Sequence, residues 1–307
     1  MNTQKYNICF YHHPCSDGMA SNWIVNKYCD TVESIGMAPQ FNLDSGRMGL
    51  CKNMNIICVD IIPSKDTLLK LDGHCNTLTI LDHHKTNKET LDELKWEKSQ
   101  LITVFDMERS GCQITWDYLY PSVERPWFID YIADRDLWKW ELPNSKEINT
   151  GMFEMKINTI DKFNELFQMK KYDIYPIMKD IGEEKIKMNN KIIEKCITMS
   201  SYCYLNLPDG TKQLVILGNP PADLRSDYGN QSLLGEPKVN YENVHVSASW
   251  YLNFCSKEWW ISLRSLTPKN DVSAIAKQFG GGGHPCASGF TIKRSDGQDL
   301  WDYFTLI

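Results

Sequence analysis

Residues Thr77-Leu78-Thr79-Ile80-Leu81 form an apolar run that stops at Asp82-His83-His84. A short run of this kind, bounded by polar residues, reads as a strand buried on both faces. Such a strand needs partners beside it and helices above and below it, which restricts the chain to a layered α/β arrangement. Ionisable groups at its carboxyl end are costly to bury unless they bind something. In open parallel sheets that end is also where ligands are held. An aspartate with two imidazoles suits a divalent ion of the Mn, Fe or Zn kind. A plain polar strand-to-loop turn is the alternative for an isolated Asp-His-His.

The surrounding sequence keeps the α/β pattern for about 140 residues. Strands are expected at 6–11, 55–59, 77–81 and 101–105, and helices at 18–28, 65–71, 113–120 and 126–138. This predicts a mostly parallel sheet. From 144 to 200 the signal is helical throughout. Ile177, Ile181, Met188, Ile192 and Cys196 fall at near-helical spacing, with charged residues such as Glu184 and Lys191 on other faces, which predicts a long helix packed along that stripe. After 200 the texture changes to strands at 202–207, 213–217, 244–251 and 259–266. Pro208-Asp209-Gly210-Thr211 marks a hairpin turn and 271–279 a short helix. The expected organisation is an α/β domain over 1–143, a helical connector over 144–200 and a smaller α/β domain over 201–307.

Bulk properties narrow the function classes. A hydrophobic fraction of 42% is ample for buried cores, and 307 residues suit two domains. The eleven cysteines are scattered without a Cys-x-x-Cys pair, and no signal peptide is recognisable, so a reducing, cytoplasmic setting is expected. No apolar run approaches the roughly 18 residues of a membrane span. The net charge of −6 and the lack of a basic stripe argue against a grip on long duplexes. A nucleic-acid substrate would be short, or a nucleotide.

Four segments of the first domain place acids and imidazoles after strands or on a nearby helix. They are Tyr11-His12-His13-Pro14-Cys15-Ser16-Asp17-Gly18, then Asp60, then Asp82-His83-His84, then Asp130-Tyr131-Ile132-Ala133-Asp134-Arg135-Asp136. Four of the seven histidines lie in them. In a parallel sheet the strand carboxyl ends share one edge, so the first three segments converge. In the second domain, Gly280-Gly281-Gly282-Gly283 precedes His284. Successive glycine N–H groups can form an anion-binding nest, or the run can be a flexible loop. Arg264 suits bidentate phosphate binding, with a surface ion pair as the alternative. Tyr228 is open between base stacking and core, and most of the ten tryptophans are expected to be packing residues.

This order of motifs resembles the DHH phosphoesterase superfamily with its C-terminal DHHA1 domain, which includes RecJ-type exonucleases, nano-RNases and cyclic-dinucleotide phosphodiesterases. The resemblance spans nearly the whole chain, ending at Gly280-Gly281-Gly282-Gly283-His284-Pro285-Cys286-Ala287-Ser288-Gly289. It implies a centre of two Mn²⁺ ions, with Mg²⁺ or another divalent ion as the alternative. By motif position Asp60 would bridge the ions, His83 and Asp17 would be ligands, His84 would face the phosphate, and Asp82 would orient a neighbouring ligand. In the fourth segment Asp134 is the first choice and Asp136 the second, since Asp130 and Asp134 share a helix face. The resemblance also implies substrate contacts from Arg225, Ser226, Asn230, Arg264, Gly281, Gly282 and Gly283. His284 would reach a phosphate oxygen or the leaving group.

One position departs from the family pattern His-x-Asp-x-Asp-Gly. Here His13-Pro14-Cys15-Ser16-Asp17-Gly18 carries Cys15 where an aspartate ligand is usual. A Tyr-His-x-x-Cys-x-Asp-Gly form occurs among similar proteins, and under it His12 is the matching histidine instead of His13. The resemblance thus implies hydrolysis of short oligonucleotides to nucleoside monophosphates. Linear or cyclic dinucleotides, or nucleotides such as 3′-phosphoadenosine 5′-phosphate, are alternative substrates. A degenerate nucleotide-binding protein is the alternative of another class, and a homodimer is left open.

Overall fold

The computed structural model describes residues 5–234, 244–294 and 299–307. The chain divides into two compact units, Met1–Ile186 and Lys187–Ile307. In the first, β1 (Ile8–His12), β2 (Glu33–Met37), β3 (Asn55–Val59), β4 (Thr77–Asp82) and β5 (Gln100–Phe105) build one sheet in the order β2-β1-β3-β4-β5. Every pairing is parallel. The order reverses between β1 and β3, and the crevice beyond the carboxyl ends at such a reversal is the usual ligand position of an open α/β sheet.

Both faces of the sheet are covered, which is why β3 reads as a continuous apolar run. Ile57 and Val59 join one core with Trp23, Trp116, Phe128 and Phe163. Ile56 and Cys58 join the other with Phe10, Leu68, Leu78 and Ile80. The covering helices are α1 (Ser16–Tyr28), α2 (Ser45–Leu50), α3 (Lys65–Leu71), α4 (Lys85–Asp92), α5 (Gly111–Leu119), α6 (Trp127–Asp136), α7 (Ser145–Glu154) and α8 (Ile160–Gln168). Trp23 of α1 is fully buried and stacks on Trp116 of α5 at 6.2 Å between ring centroids. This pins α1, and the loop before it, against α5.

In the first unit the structure adds β2, α2 and α4 to the expected elements. None carries an apolar signature: β2 is the sheet edge, with Glu33 and Gly36 exposed, α2 buries no residue, and only Asn87 of α4 is buried. The long helix α9 (Lys171–Thr198) forms, but on a different face from the one expected. Ile174, Met178 and Ile193 are buried, whereas Ile177, Met188 and Ile192 are exposed. The reason is a close helix crossing. A Cβ on Gly182 would lie 1.9 Å from the Glu147 carbonyl oxygen, and one on Gly151 would lie 2.1 Å from that of Met178. Backbone contact at two glycines, instead of the largest side chains, sets how α9 is turned.

The second unit holds β6 (Ser201–Asn206), β7 (Lys212–Gly218), α10 (Arg225–Leu234), β8 (Val246–Asn253), β9 (Glu258–Arg264), α11 (Val272–Gln278), β10 (Gly282–His284), β11 (Ala287–Lys293) and β12 (Phe304–Leu306). Its mixed sheet has the order β10-β11-β9-β8-β7-β6-β12. Only the β7–β8 pair among these is parallel. The predicted hairpin joins β6 to β7: Gly210 takes φ +85°, and the Asp209 carboxylate accepts from the Thr211 N–H at 2.9 Å. A parallel α/β unit followed by a smaller mixed α/β unit is the fold class expected from the sequence.

Candidate metal centre

Asp60 is the hub of the first unit's carboxyl edge. It follows β3 with φ +59°, a conformation that Asp adopts more readily than most residues, and its N–H donates to the Leu81 carbonyl. That turn brings its carboxylate to three imidazoles. His12 Nδ1, at the end of β1, lies 3.1 Å from Oδ2, and His83 Nε2, just past β4, lies 3.2 Å from Oδ1. His84 Nδ1 is 3.8 Å from the same Oδ1. His83 Nε2 also lies 3.4 Å from Asp136 Oδ2 and 4.0 Å from Asp17 Oδ2.

Asp60, Asp82, His83 and His84 form one donor group, and two further donor sets adjoin it through Asp60 and His83. In one, His12, Cys15 and Asp60 bring ligand atoms within 4.8 Å of one another; in the other, Asp17, His83 and Asp136 do so. Asp82 supports them. Its Oδ1 accepts from the His83 N–H at 2.8 Å and lies 2.7 Å from His84 Nδ1, while Oδ2 accepts from Asn87 Nδ2 at 2.6 Å. Hydrogen bonds of this sort set the tautomer and tilt of a metal-ligating ring.

Three expectations for the first unit change. The order of preference at the end of α6 is reversed: the Asp134 carboxylate accepts from the N–H groups of Glu141 and Leu142 and holds that loop, while Asp136 reaches His83. The shared face of Asp130 and Asp134 is real, but it is not the face at the site; Asp130 pairs with Gln113 and Arg125. His13, offered together with His12, is exposed and sets its ring edge-on against Tyr11, so only His12 joins the cluster. Asn87, Ser110 and Gly111 contact the site and had not been foreseen. A serine and a glycine between a strand and a helix were a visible N-terminus signal for the last two; α4 has no apolar stripe that would have marked Asn87.

The electrostatics favour cation binding. Burial, together with the charges of Asp60 and Asp136, pushes Asp17 up to about 8. Burial also opposes ionisation of Asp60, but hydrogen bonds from His12 and His83 and the nearby His84 hold it well below the usual carboxylate range. Burial would lower His83, yet its bond to Asp60 and the charges of Asp136, Asp60 and Asp17 raise it to about 10. Burial and the carboxylates of Asp60, Asp136 and Asp17 push the Cys15 thiol well above its ordinary range. Asp17 and His83 are thus both biased toward holding protons in a crowded acidic cluster. A divalent cation can displace them, and the donor set of carboxylates, imidazoles and one thiol fits such an ion.

In the second unit Arg264 of β9 donates to the Leu263 carbonyl and, at 2.8 Å, to Ser226 Oγ. Arg225 lays its guanidinium over the Tyr251 ring at 3.9 Å, and its buried Nε has no hydrogen-bond partner among the described residues. Asn230 bonds back to the Ser226 carbonyl within α10. Tyr228 is core: it is fully buried and shares a 2.7 Å hydrogen bond with Ser200 Oγ. The glycine run does not form the expected nest. The N–H groups of Gly280 and Gly281 donate to Lys277 and Ala276 of α11, and Gly282 and Gly283 enter β10, paired with Gly289 and Ser288 of β11. A Cβ on Gly281 would lie 2.1 Å from the Gly289 carbonyl oxygen, so close packing accounts for that glycine. His284 ends β10 with its side chain exposed.

No protein-family model matches the chain. An uncharacterized protein of Acanthamoeba polyphaga mimivirus is 29% identical over 303 residues, covering 95% of this chain and 68% of that protein. Oligoribonuclease NrnB of Bacillus subtilis is 24% identical over 221 residues, 69% of this chain and 52% of its own length. The remote sequence similarity agrees with the resemblance to the DHH/DHHA1 phosphoesterase superfamily drawn from the motifs. The chain spans about half of NrnB. Solved structures with a similar layout include an exopolyphosphatase-related protein of Bacteroides fragilis, at 17% identity, TM-score 0.49, and 95% and 88% of the two chains. A pGpG-specific phosphodiesterase of Vibrio cholerae matches at 12% identity, TM-score 0.46, and 95% of each chain. Scores at this level carry no functional weight.

Proposed function

We propose that this chain is a metal-dependent phosphodiesterase that hydrolyses short oligonucleotides to nucleoside monophosphates, using two Mn²⁺ ions. The observation that carries the reading is the meeting of two donor sets at Asp60 and His83, at the point where strand order reverses. When bound, two divalent ions polarise a phosphoryl oxygen and make water a nucleophile at neutral pH. His12, Cys15 and Asp60 would hold one ion, and Asp17, His83 and Asp136 the other. Asp82 fixes the His84 ring through Nδ1, orienting it for a phosphate oxygen.

The second unit carries candidate phosphate contacts of its own. Among the described residues Arg264 bonds only neutral acceptors and a buried donor of Arg225 has no partner, so both suit a substrate phosphate. Ser226 and Asn230 would brace them, and the edge strand Gly282–His284 would offer backbone donors and the His284 ring. Residues 1–143 would then be the catalytic domain, 144–200 a connector and 201–307 the substrate domain. Eleven free cysteines suit a reducing compartment such as the cytoplasm. Among the described residues no helix is long and apolar enough to cross a membrane.

The test is hydrolysis by purified protein with Mn²⁺ of labelled oligonucleotides from dinucleotides to about 24-mers, a length beyond the footprint of one small binding fold. Cyclic dinucleotides and 3′-phosphoadenosine 5′-phosphate run alongside. The shortest linear members should turn over fastest. Equal or better cleavage of the longest would sink the short-substrate reading, and faster turnover of the added compounds would reassign the substrate.

Cys15 motivates a second reading, a nucleotide-binding protein that does not turn substrate over. Its thiol is held protonated by its surroundings and is a poor partner for Mn²⁺. Under this reading the natural protein is inactive and Cys15→Asp gains hydrolysis.

A further inference from the structure

The start of α5 reaches into the centre from the loop after β5. Ser110 Oγ donates to Asp17 Oδ1 at 2.9 Å, and the Cys112 N–H donates to the same oxygen at 2.9 Å. The Gly111 N–H donates to Oδ2 at 2.6 Å. A carboxylate offers about two lone-pair sites on each oxygen. On Oδ1 both are taken. On Oδ2 one remains, and Oδ2 is the atom that faces His83 Nε2 at 4.0 Å. Gly111 has no room for a side chain: a Cβ there would lie 2.6 Å from Asp60 Cβ and 2.9 Å from Asp17 Oδ2. Ser110 itself is fully buried, so no solvent competes for its hydroxyl.

We propose that Ser110 and Gly111 are positioning residues that restrict Asp17 to a single metal bond, made through Oδ2, at the set shared with His83 and Asp136. Ser110 blocks the second oxygen, so Asp17 cannot grip an ion with both. Gly111 lets the backbone approach Asp17 and Asp60 together, so the lack of a side chain there sets how closely the two donor sets come. The inference rests on the metal-centre reading above and deepens it.

Metal uptake tests it without any assay of hydrolysis. Mn²⁺ is titrated into metal-free protein and followed by electron paramagnetic resonance, with thermal melting of the metal-free protein alongside. The natural protein should bind two ions. Ser110→Ala should weaken one of them by about 10–100-fold, the usual effect of losing a hydrogen bond to a ligand, and leave the other unchanged. Ser110→Thr, which keeps the hydroxyl, should restore it. Gly111→Ala should weaken both, because its methyl group collides with Asp17 and Asp60. Two ions bound at natural affinity by Ser110→Ala would overturn the proposal. So would an equal loss at both sites matched by a fall in the metal-free melting temperature, which would make Ser110 a packing residue. No uptake by the natural protein would instead sink the metal-centre reading, before any variant is compared.

Discussion

At the carboxyl edge of the five-stranded sheet, Asp60 faces His12, His83 and His84 and has Asp17 and Asp136 close by. At the amino edge, the Asp72 carboxylate is held by backbone: it accepts from the N–H groups of Glu97, Lys98 and Ser99. Both residues are aspartates in loops of one sheet, yet their surroundings give them opposite work. Three fixed amides satisfy Asp72 and tie down the loop before β5. Titratable partners leave the carboxyl-edge cluster to be settled by protons or by a metal ion. Position relative to strand direction, more than residue type, separates the structural acid from the chemical one.

The largest expected effect breaks this comparison at Asp60. Asp60→Asn keeps the shape and removes a charge that holds His12 of one donor set and His83 of the other. Hydrolysis should fall by at least about a thousandfold, roughly 4 kcal/mol of transition-state stabilisation, in line with the several kcal/mol a Lewis-acid metal supplies. Far-UV circular dichroism should be unchanged. Activity within tenfold of the natural protein would remove Asp60 from the centre.

Asp134 sharpens the comparison, because it lies two residues from Asp136 and behaves like Asp72. Its carboxylate holds the Glu141 and Leu142 amides. Asp134→Ala should therefore cost about 1–3 kcal/mol of stability, the penalty for stranding partly buried N–H groups, and should leave Mn²⁺ uptake intact. Loss of one metal ion at an unchanged denaturation midpoint would make Asp134 a ligand after all.

The same distinction explains what could be read in advance. His12, Asp60 and Asp82-His83-His84 follow apolar runs, so their convergence is a consequence of parallel strand topology, which the apolar pattern reveals. The choice between Asp134 and Asp136 depends on which helix face meets the sheet, and that is decided by packing against other helices. Helix α9 shows the limit most plainly: the buried face follows the contacts at Gly151 and Gly182 and not the row of large apolar residues. The glycine run fails for a similar reason. Four glycines permit a nest, but pairing of Gly282 with Gly289, seven residues away in sequence, makes a strand. In each case the deciding partner lies outside the local segment.

The smallest expected effect lies at the amino edge and shows up in pH. Burial by itself would raise the Asp72 carboxyl, but the hydrogen bonds from Glu97, Ser99 and Lys98 and the Lys98 charge together hold it below its ordinary value in the folded protein. An acid depressed by folding contributes stability above its unfolded value of about 3.9, and that contribution is lost as pH falls through the folded value. Asp72→Ala should thus lower stability at pH 7 by about 1 kcal/mol, the usual cost of losing a side-chain cap on backbone N–H groups. The deficit should shrink toward zero as the pH is taken well below 4, where the natural carboxyl is itself protonated. Denaturation midpoints of the two metal-free proteins, measured from pH 7 down to pH 3, follow this directly. A deficit that stayed constant across the range would mean that Asp72 acts through packing and not through its charge, and the contrast between the two edges would then rest on the carboxyl edge alone.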